Sequence, residues 1–453
     1  MASVQPELSL SKVDISLVTP LEKTSHPTFL DPTIFDLVTL DAYVPRVYCY
    51  RLENTEEAFN HYVNKLKQSL RETLVSYYPL AGRWIRTYDA TIRRLMCTDE
   101  GVPFIVARIE DFNLDDVVDV NDFKGCHLLA GYELLNMNSN DFISLLETPL
   151  LPMFVQVTKF KCGSATLCCT ISHTSTDGTG VMTFMQAWSE TALRGKTSVI
   201  PNFDRSLIPI KVSDFIPLPT GKLSYDPATI GRRFKLSKTT SKFLRVRKDV
   251  IDAWKKEAAQ KSIQLSSVDC MTAHLWRSLA SLDSIPQHFT SPETWICTLI
   301  NGRNRFLDTA VGNDYFGNAS FGHHLPIIPL SEIPDISSAG SIVHKTVNEV
   351  TASTYKENVR DLLKTGTVYH SFEGRHLIVS SWHRFPFYEI DFGFGIPFFA
   401  GLNSPNWNFL SLGYCMITPP APGSEHLACF HLGLPQEVHE ALAADKNFMA
   451  LFH

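Results

Sequence analysis

The segment Ile171-Ser172-His173-Thr174-Ser175-Thr176-Asp177-Gly178 sets a titratable ring four residues ahead of a carboxylate. A neutral imidazole near pH 7 takes a proton from a hydroxyl or an amine. Asp177 can accept a hydrogen bond, or pair with an arginine and fix the loop. The bare spacing says little. The chain holds 16 His, and with Asp at about one residue in twenty roughly one chance match is expected. Context adds weight. Ala165 to Ser172 is a strongly apolar run that reads as a strand. Small and polar residues follow, then Gly178, then a helix from about residue 180 with Val181, Phe184, Met185 and Trp188 on one side. The ring is thus expected at the mouth of a sheet, where sites in α/β proteins lie. Taken alone, the segment fits both a catalytic base and a structural histidine.

A second cluster is Tyr388-Glu389-Ile390-Asp391-Phe392-Gly393-Phe394-Gly395-Ile396-Pro397. Two glycines between aromatics suit a tight turn that Asp391 can cap or ion-pair, and a structural turn is the preferred reading. Other chemistries lack their signatures. There is no Gly-x-Ser-x-Gly nucleophile elbow. Gly195-Lys196-Thr197 has Glu190 where a P-loop needs its first glycine, and no Gly-x-Gly-x-x-Gly or His-Glu-x-x-His occurs. None of the 10 Cys forms a Cys-x-x-Cys pair, so a zinc ribbon or thioredoxin-like site has no support and no metal is expected.

The elements that must position these residues follow from periodicity. Tyr43 to Tyr50 is aromatic and β-branched and reads as a strand. A helix should follow, with Asn54 as N-cap and Glu57 completing a capping box. Its apolar face is Phe59, Tyr62, Val63, Leu66, Leu70 and Leu74, and Pro79 with Gly82 ends it. Strands at 154–160 and 165–172 should form a hairpin through Lys161-Cys162-Gly163-Ser164. Later segments read as a strand at 232–244, helices at 248–260 and 267–280, and a strand at 295–300. A long helix near 337–363 and strands at 377–381, 414–417 and 427–432 complete the pattern. Strands and helices alternate in both halves, so the class is α/β or α+β. The stretch 196–235 lacks periodicity and holds Pro201, Pro209, Pro217, Pro219 and Pro227, which suits a linker. The expected division is 1–195, a linker at 196–235, and 236–453.

Composition bounds the rest. At roughly 150 residues per domain the 453 residues suggest about three domains, and two larger ones fit equally well. Hydrophobic residues at 44% against 19% charged are ample for a core and exclude a disordered chain. Lys plus Arg is 41 and Asp plus Glu 47, a net charge of −6 without a basic tract, which argues against nucleic acid and anionic membranes as partners. No apolar run reaches 18 residues and the N-terminus shows no signal peptide, so a cytoplasmic chain without a membrane span is expected. The sequon Asn318-Ala319-Ser320 then reads as coincidence.

Five segments together resemble the plant BAHD acyltransferases. His173-Thr174-Ser175-Thr176-Asp177-Gly178 matches their His-x-x-x-Asp-Gly motif. Asp391-Phe392-Gly393-Phe394-Gly395 resembles their Asp-Phe-Gly-Trp-Gly, with Phe394 in place of tryptophan. Tyr78-Pro79-Leu80-Ala81-Gly82-Arg83, Ala273-His274-Leu275-Trp276-Arg277 and Tyr315-Phe316-Gly317-Asn318 are similar to further family segments, in the family's order. The resemblance implies two chloramphenicol-acetyltransferase-like domains, each a mixed sheet with helices, with a channel between them. It implies transfer from acyl-CoA, a co-substrate rather than a bound cofactor, to a small-molecule alcohol or amine, by a monomer. His173 would be the general base, and Asp177 would support the loop by pairing with Arg303. Asp391, Gly393 and Gly395 would form a structural turn.

Ser380-Ser381-Trp382 resembles a segment of the hydroxycinnamoyl-transferring members. It makes Ser380 a candidate oxyanion donor and Trp382 a candidate channel residue, and Tyr48, which sits where shikimate-using relatives carry a tyrosine, is a further channel candidate. Ser266 and Ser267 are candidates for coenzyme A, with helix capping as the competing reading. Arg232, Arg233, Lys235 and Lys238 are candidates for its phosphates, with surface charge as the other reading. The arginine that grips shikimate in some relatives, about thirteen residues before Ser380, has no counterpart, so shikimate and quinate are not the expected acceptors. An aromatic donor fits the Tyr43–Tyr50 strand. Two rival readings remain, a thioester hydrolase in which His173 activates water, and a non-catalytic binding protein on the same scaffold.

Overall fold

The computed structural model describes residues 8–24, 27–39, 43–86, 93–119, 122–123, 126–131, 151–211, 239–282, 294–303, 305, 311–365, 375–402 and 413–452. Its principal elements are, in chain order, β1 (Ser11–Val18), α1 (Ile34–Val38), β2 (Tyr43–Tyr50), α2 (Glu56–Ser76), β3 (Val102–Ile109), β4 (Met153–Phe160) and β5 (Ala165–Ser172). Then come α3 (Gly178–Arg194), β6 (Thr239–Arg247), α4 (Lys248–Gln260), α5 (Ser267–Ala280), β7 (Thr294–Asn301), β8 (Ser320–His324) and α6 (Ile336–Asn348). The last are α7 (Ala352–Thr365), β9 (Arg375–Ser381), β10 (Phe399–Leu402), β11 (Gly413–Thr418) and β12 (His426–Pro435).

The mixed α/β class is as expected. The chain divides into two compact units, and each carries a six-stranded mixed sheet. The first sheet runs β1-β3-β4-β5-β2-β10 and is antiparallel except for the β3–β4 pair. The second runs β6-β12-β11-β9-β7-β8, with parallel pairing of β9 to both β11 and β7. The units are not contiguous. The first holds 1–208, 311–318 and 386–406, and the second holds the intervening stretches and the end. This differs from the expected split, which put the 391–395 turn in the C-terminal domain. The reason is strand pairing, because β10 closes the edge of the first sheet beside β2, with Phe399 opposite Cys49 and Leu402 opposite Arg46. Residues 212–235 of the expected linker lie outside the described residues, as does 232–238 of the expected strand.

Within the first unit, β4 and β5 pair through a turn at Gly163. Its N–H donates to the Phe160 carbonyl at 2.9 Å, and φ is +89°. A Cβ there would sit 2.5 Å from the Asn54 Cα, so both conformation and space require glycine. The α2 helix starts one residue later than the sequence suggests. Thr55 is its N-cap, accepting from the Ala58 N–H at 3.1 Å, while the Asn54 amide instead donates to the Lys161 carbonyl. Its apolar face is buried as expected, and the Trp188 indole of α3 donates to Ser69 Oγ of α2 at 3.0 Å. The Asp391 turn lies against these two helices. Phe392 is fully buried, 5.0 Å from Trp188 between ring centroids, and Phe394 meets Tyr62 edge-on at 4.9 Å.

In the second unit α4 and α5 occupy the expected residues. The expected long helix is two helices. α6 stops at Asn348, and Thr351 Oγ1 accepts from the Thr354 N–H to begin α7. A side-chain acceptor at 351 competes with helix continuation there. Among the described residues no helix is long and apolar enough to cross a membrane.

Candidate active site

The loop after β5 is built by its own polar residues. The Ser175 N–H donates to the Ser172 carbonyl at 2.9 Å, turning the chain as it leaves the strand. The buried Trp84 indole donates to Ser175 Oγ at 2.8 Å, and Thr176 Oγ1 donates to the Gly317 carbonyl at 3.3 Å. Asp177 is the N-cap of α3, its Oδ1 accepting from the Gly180 N–H at 3.1 Å. Gly180 leaves room for the Thr176 hydroxyl, since a Cβ would come within 1.9 Å of that oxygen. His173 is therefore held between a strand end and a capped helix start.

The imidazole has a defined partner. His173 Nδ1 lies 3.2 Å from Asn318 Oδ1. The Asn318 Nδ2 group faces acceptors, the His173 carbonyl at 2.8 Å, the Thr174 carbonyl at 3.3 Å and Asp36 Oδ1 at 2.8 Å. With Nδ2 committed to these, Oδ1 accepts from His173, so Nδ1 carries the hydrogen. Nε2 then keeps its lone pair, and among the described residues no hydrogen bond engages it. Burial pushes the His173 pKa below its ordinary value. A hydrogen bond to the residue's own backbone, the Asp177 carboxylate and the Asn318 bond oppose that shift, and the Arg46 guanidinium adds to it. A neutral ring with a free Nε2 is a proton acceptor near pH 7.

The remaining sequence candidates separate by unit. His173, Asp177, Tyr48, Asp391, Gly393 and Gly395 belong to the first, and Ser266, Ser267, Arg303, Ser380 and Trp382 to the second. Tyr48 is fully buried in β2, its hydroxyl 3.9 Å from the Met182 sulfur and its ring 6.2 Å from Phe387. Burial pushes its phenol well above the ordinary pKa. Asp391 Oδ1 accepts from the Gly393 N–H at 2.6 Å and the Phe394 N–H at 3.1 Å, closing the turn. Gly393 and Gly395 both adopt positive φ, +93° and +87°. Ser266 caps α5 in a box with Asp269, and half-buried Ser267 begins the helix. Ser380 is buried at the end of β9, beside Met416 of β11. Trp382 follows, with its N–H on the Ile417 carbonyl at 2.7 Å. Arg303 is buried, its N–H donating to Asn301 Oδ1 at 3.0 Å. The basic residues 232, 233, 235 and 238 lie outside the described residues. The sequence reading assigned Asn318 no role at the site, and its signal was the Tyr-Phe-Gly-Asn segment. Buried and hydrogen-bonded on four sides, it is closed to glycosylation.

A family model described as the Transferase family matches residues 8–425. The chain belongs to this family, the BAHD acyltransferases. As a BAHD protein it is a coenzyme-A-dependent acyltransferase. It is 28% identical to the shikimate O-hydroxycinnamoyltransferase of Nicotiana tabacum over 436 residues, covering 91% of this chain and 94% of that one. Vinorine synthase shares the fold with a TM-score of 0.72 at 19% identity, covering 98% of both chains. So does TRI101 of F. sporotrichioides, whose structure was solved with coenzyme A and T-2. There the TM-score is 0.69 at 16% identity, over 93% of this chain and 98% of that one. The BAHD fold agrees with the two mixed sheets described above.

Proposed function

We propose that this BAHD acyltransferase uses His173 as general base in direct acyl transfer to a specialised-metabolite hydroxyl or amine. The observation that carries the reading is the Asn318 bond to Nδ1, which leaves Nε2 as the basic nitrogen. Nε2 takes the acceptor's proton as its oxygen or nitrogen attacks the thioester carbonyl. A tetrahedral oxyanion forms, the carbon–sulfur bond breaks, and the coenzyme A thiolate takes the proton back from Nε2. No acyl-enzyme is needed, in keeping with the absence of a nucleophile elbow. Ser380 is proposed to donate to the oxyanion, on the similarity of Ser380-Ser381-Trp382 to the hydroxycinnamoyl-transferring members. An aromatic acyl-CoA is the proposed donor, supported by likeness to a protein named as a hydroxycinnamoyltransferase.

The test is a panel of acyl-CoAs against pooled alcohols and amines, read by mass spectrometry, with wild type and His173→Ala. General-base catalysis contributes about 10²–10⁴-fold, so the variant should lose that much while remaining folded. Near-wild-type turnover by His173→Ala would sink the mechanism. Free acid as the sole product, with or without an acceptor, would make the protein a thioester hydrolase instead.

A further inference from the structure

Behind Asn318 stands a carboxylate that the mechanism above does not use. Asp36 belongs to the short helix α1, where with Thr33 it forms a capping box. Its side chain is fully buried. Oδ2 accepts from the Thr33 N–H at 2.8 Å and the Thr33 hydroxyl at 3.0 Å. Oδ1 turns away from α1 and accepts from the Asn318 N–H at 3.2 Å and from Asn318 Nδ2 at 2.8 Å. Arg205 Nη1 lies 3.8 Å from Oδ2 and donates to the Tyr315 hydroxyl at 2.8 Å. A capping box needs only the contacts with Thr33. The two bonds to Asn318 cross 282 residues of sequence and join Asp36 to the partner of His173.

A primary amide presents an acceptor at one end and a donor at the other, and the two ends exchange by a half-turn. If Nδ2 faced His173, it would donate to Nδ1. The hydrogen would then sit on Nε2, and the nitrogen that must take the acceptor's proton would have no lone pair. The His173 and Thr174 carbonyls oppose that orientation, and Asp36 adds the charged acceptor to them, since a carboxylate accepts and cannot donate. Its negative charge also lies behind the amide as positive charge develops on the imidazole. Replacing Asp36 by asparagine cannot satisfy all its neighbours. One of its ends must be an NH₂, and both Thr33 and Asn318 offer it N–H groups. We propose that Asp36 is a positioning residue for acyl transfer, acting through Asn318 to hold His173 in the Nδ1–H tautomer. The inference rests on the general-base reading only for its effect on turnover, since the tautomer is observable by itself.

The experiment is nitrogen-15 NMR of histidine-labelled full-length protein, with His173→Gln to assign the resonance, together with kinetics. Wild type should show His173 protonated at Nδ1 and unprotonated at Nε2 at neutral pH. A dominant Nε2–H form in wild type overturns the proposal without any variant at Asp36. Asp36→Asn should populate the Nε2–H form and lower kcat by about tenfold or more, with KM for acyl-CoA within about twofold. Asp36→Asn added to Asn318→Ala should lower kcat no further than Asn318→Ala alone, because the path to His173 is already cut. Additive losses, or a folded Asp36→Asn protein with wild-type tautomer, overturn it. If His173→Ala retains turnover the general-base reading fails, and the NMR result still decides the role of Asp36.

Discussion

Asp177→Ala separates support from chemistry at the most recognisable motif of this chain. Asp177 is buried and caps a helix of 17 residues, accepting from the Gly180 N–H at 3.1 Å. Loss of an N-cap costs about 0.5–2 kcal/mol, and the Gly180 donor would be left inside the protein without its acceptor, which moves the expectation to the upper end. A loss of about 2 kcal/mol corresponds to a fall in Tm of roughly 4–8 °C for a unit of this size. The 173–176 loop is tethered to this helix start, so turnover should fall along with stability. Asp177→Asn keeps a good cap acceptor, and should recover most of the Tm and most of the activity. Thermal unfolding by circular dichroism and kcat at 25 °C on the same preparations make the comparison. An Asp177→Ala protein with wild-type Tm would refute the capping argument. An Asp177→Asn protein with wild-type Tm but the activity of Asp177→Ala would show that the charge takes part in the chemistry.

Burial lowers the His173 pKa, so the base is deprotonated at neutral pH and loses activity only as pH falls through the lowered value. The acid limb of kcat/KM should lie below pH 6.5, and further down in Asp177→Asn, because the carboxylate opposes the shift. A limb above pH 7 would contradict this. His431 is held at a pKa of about 3 by burial in the second unit. The unfolded chain takes up that proton near pH 6.5 while the folded protein does not, so stability falls as pH drops below 6.5 and is full above it. Between pH 7 and 5 the loss from this residue is about 2 kcal/mol. His431→Leu should flatten the denaturant-midpoint profile over that range by this amount, and an unchanged slope would refute it.

Much of the site's local frame was legible because local signals determine it. The apolar run Ala165–Ser172 reads as a strand, and Asp177-Gly178 starts a helix, so His173 is placed by residues within about ten positions of it. The 248–260 and 267–280 helices followed from periodicity for the same reason. What escaped depends on contacts between distant residues. Asn318 meets His173 across 145 positions, and Asp36 meets Asn318 across still more. Nothing in the sequence near Asp36 distinguishes a capping-box aspartate from one that also orients an amide. β10 has only four residues, too few for an alternation signal, and its place beside β2 comes from pairing. The break at 349–351 is likewise a competition between a threonine side chain and the helix ladder, which the apolar period passes over.

The pairing of β10 with β2 has a consequence for synthesis. The first sheet lacks its edge until residue 402 has left the ribosome, and the loop around His173 lacks its amide partner until residue 318 has done so. The nascent first unit must therefore wait, with β2 uncovered on one side, while most of the second unit's chain is made. A fragment ending near residue 208 would hold every residue of the His-x-x-x-Asp motif and still lack the group that gives the histidine its direction.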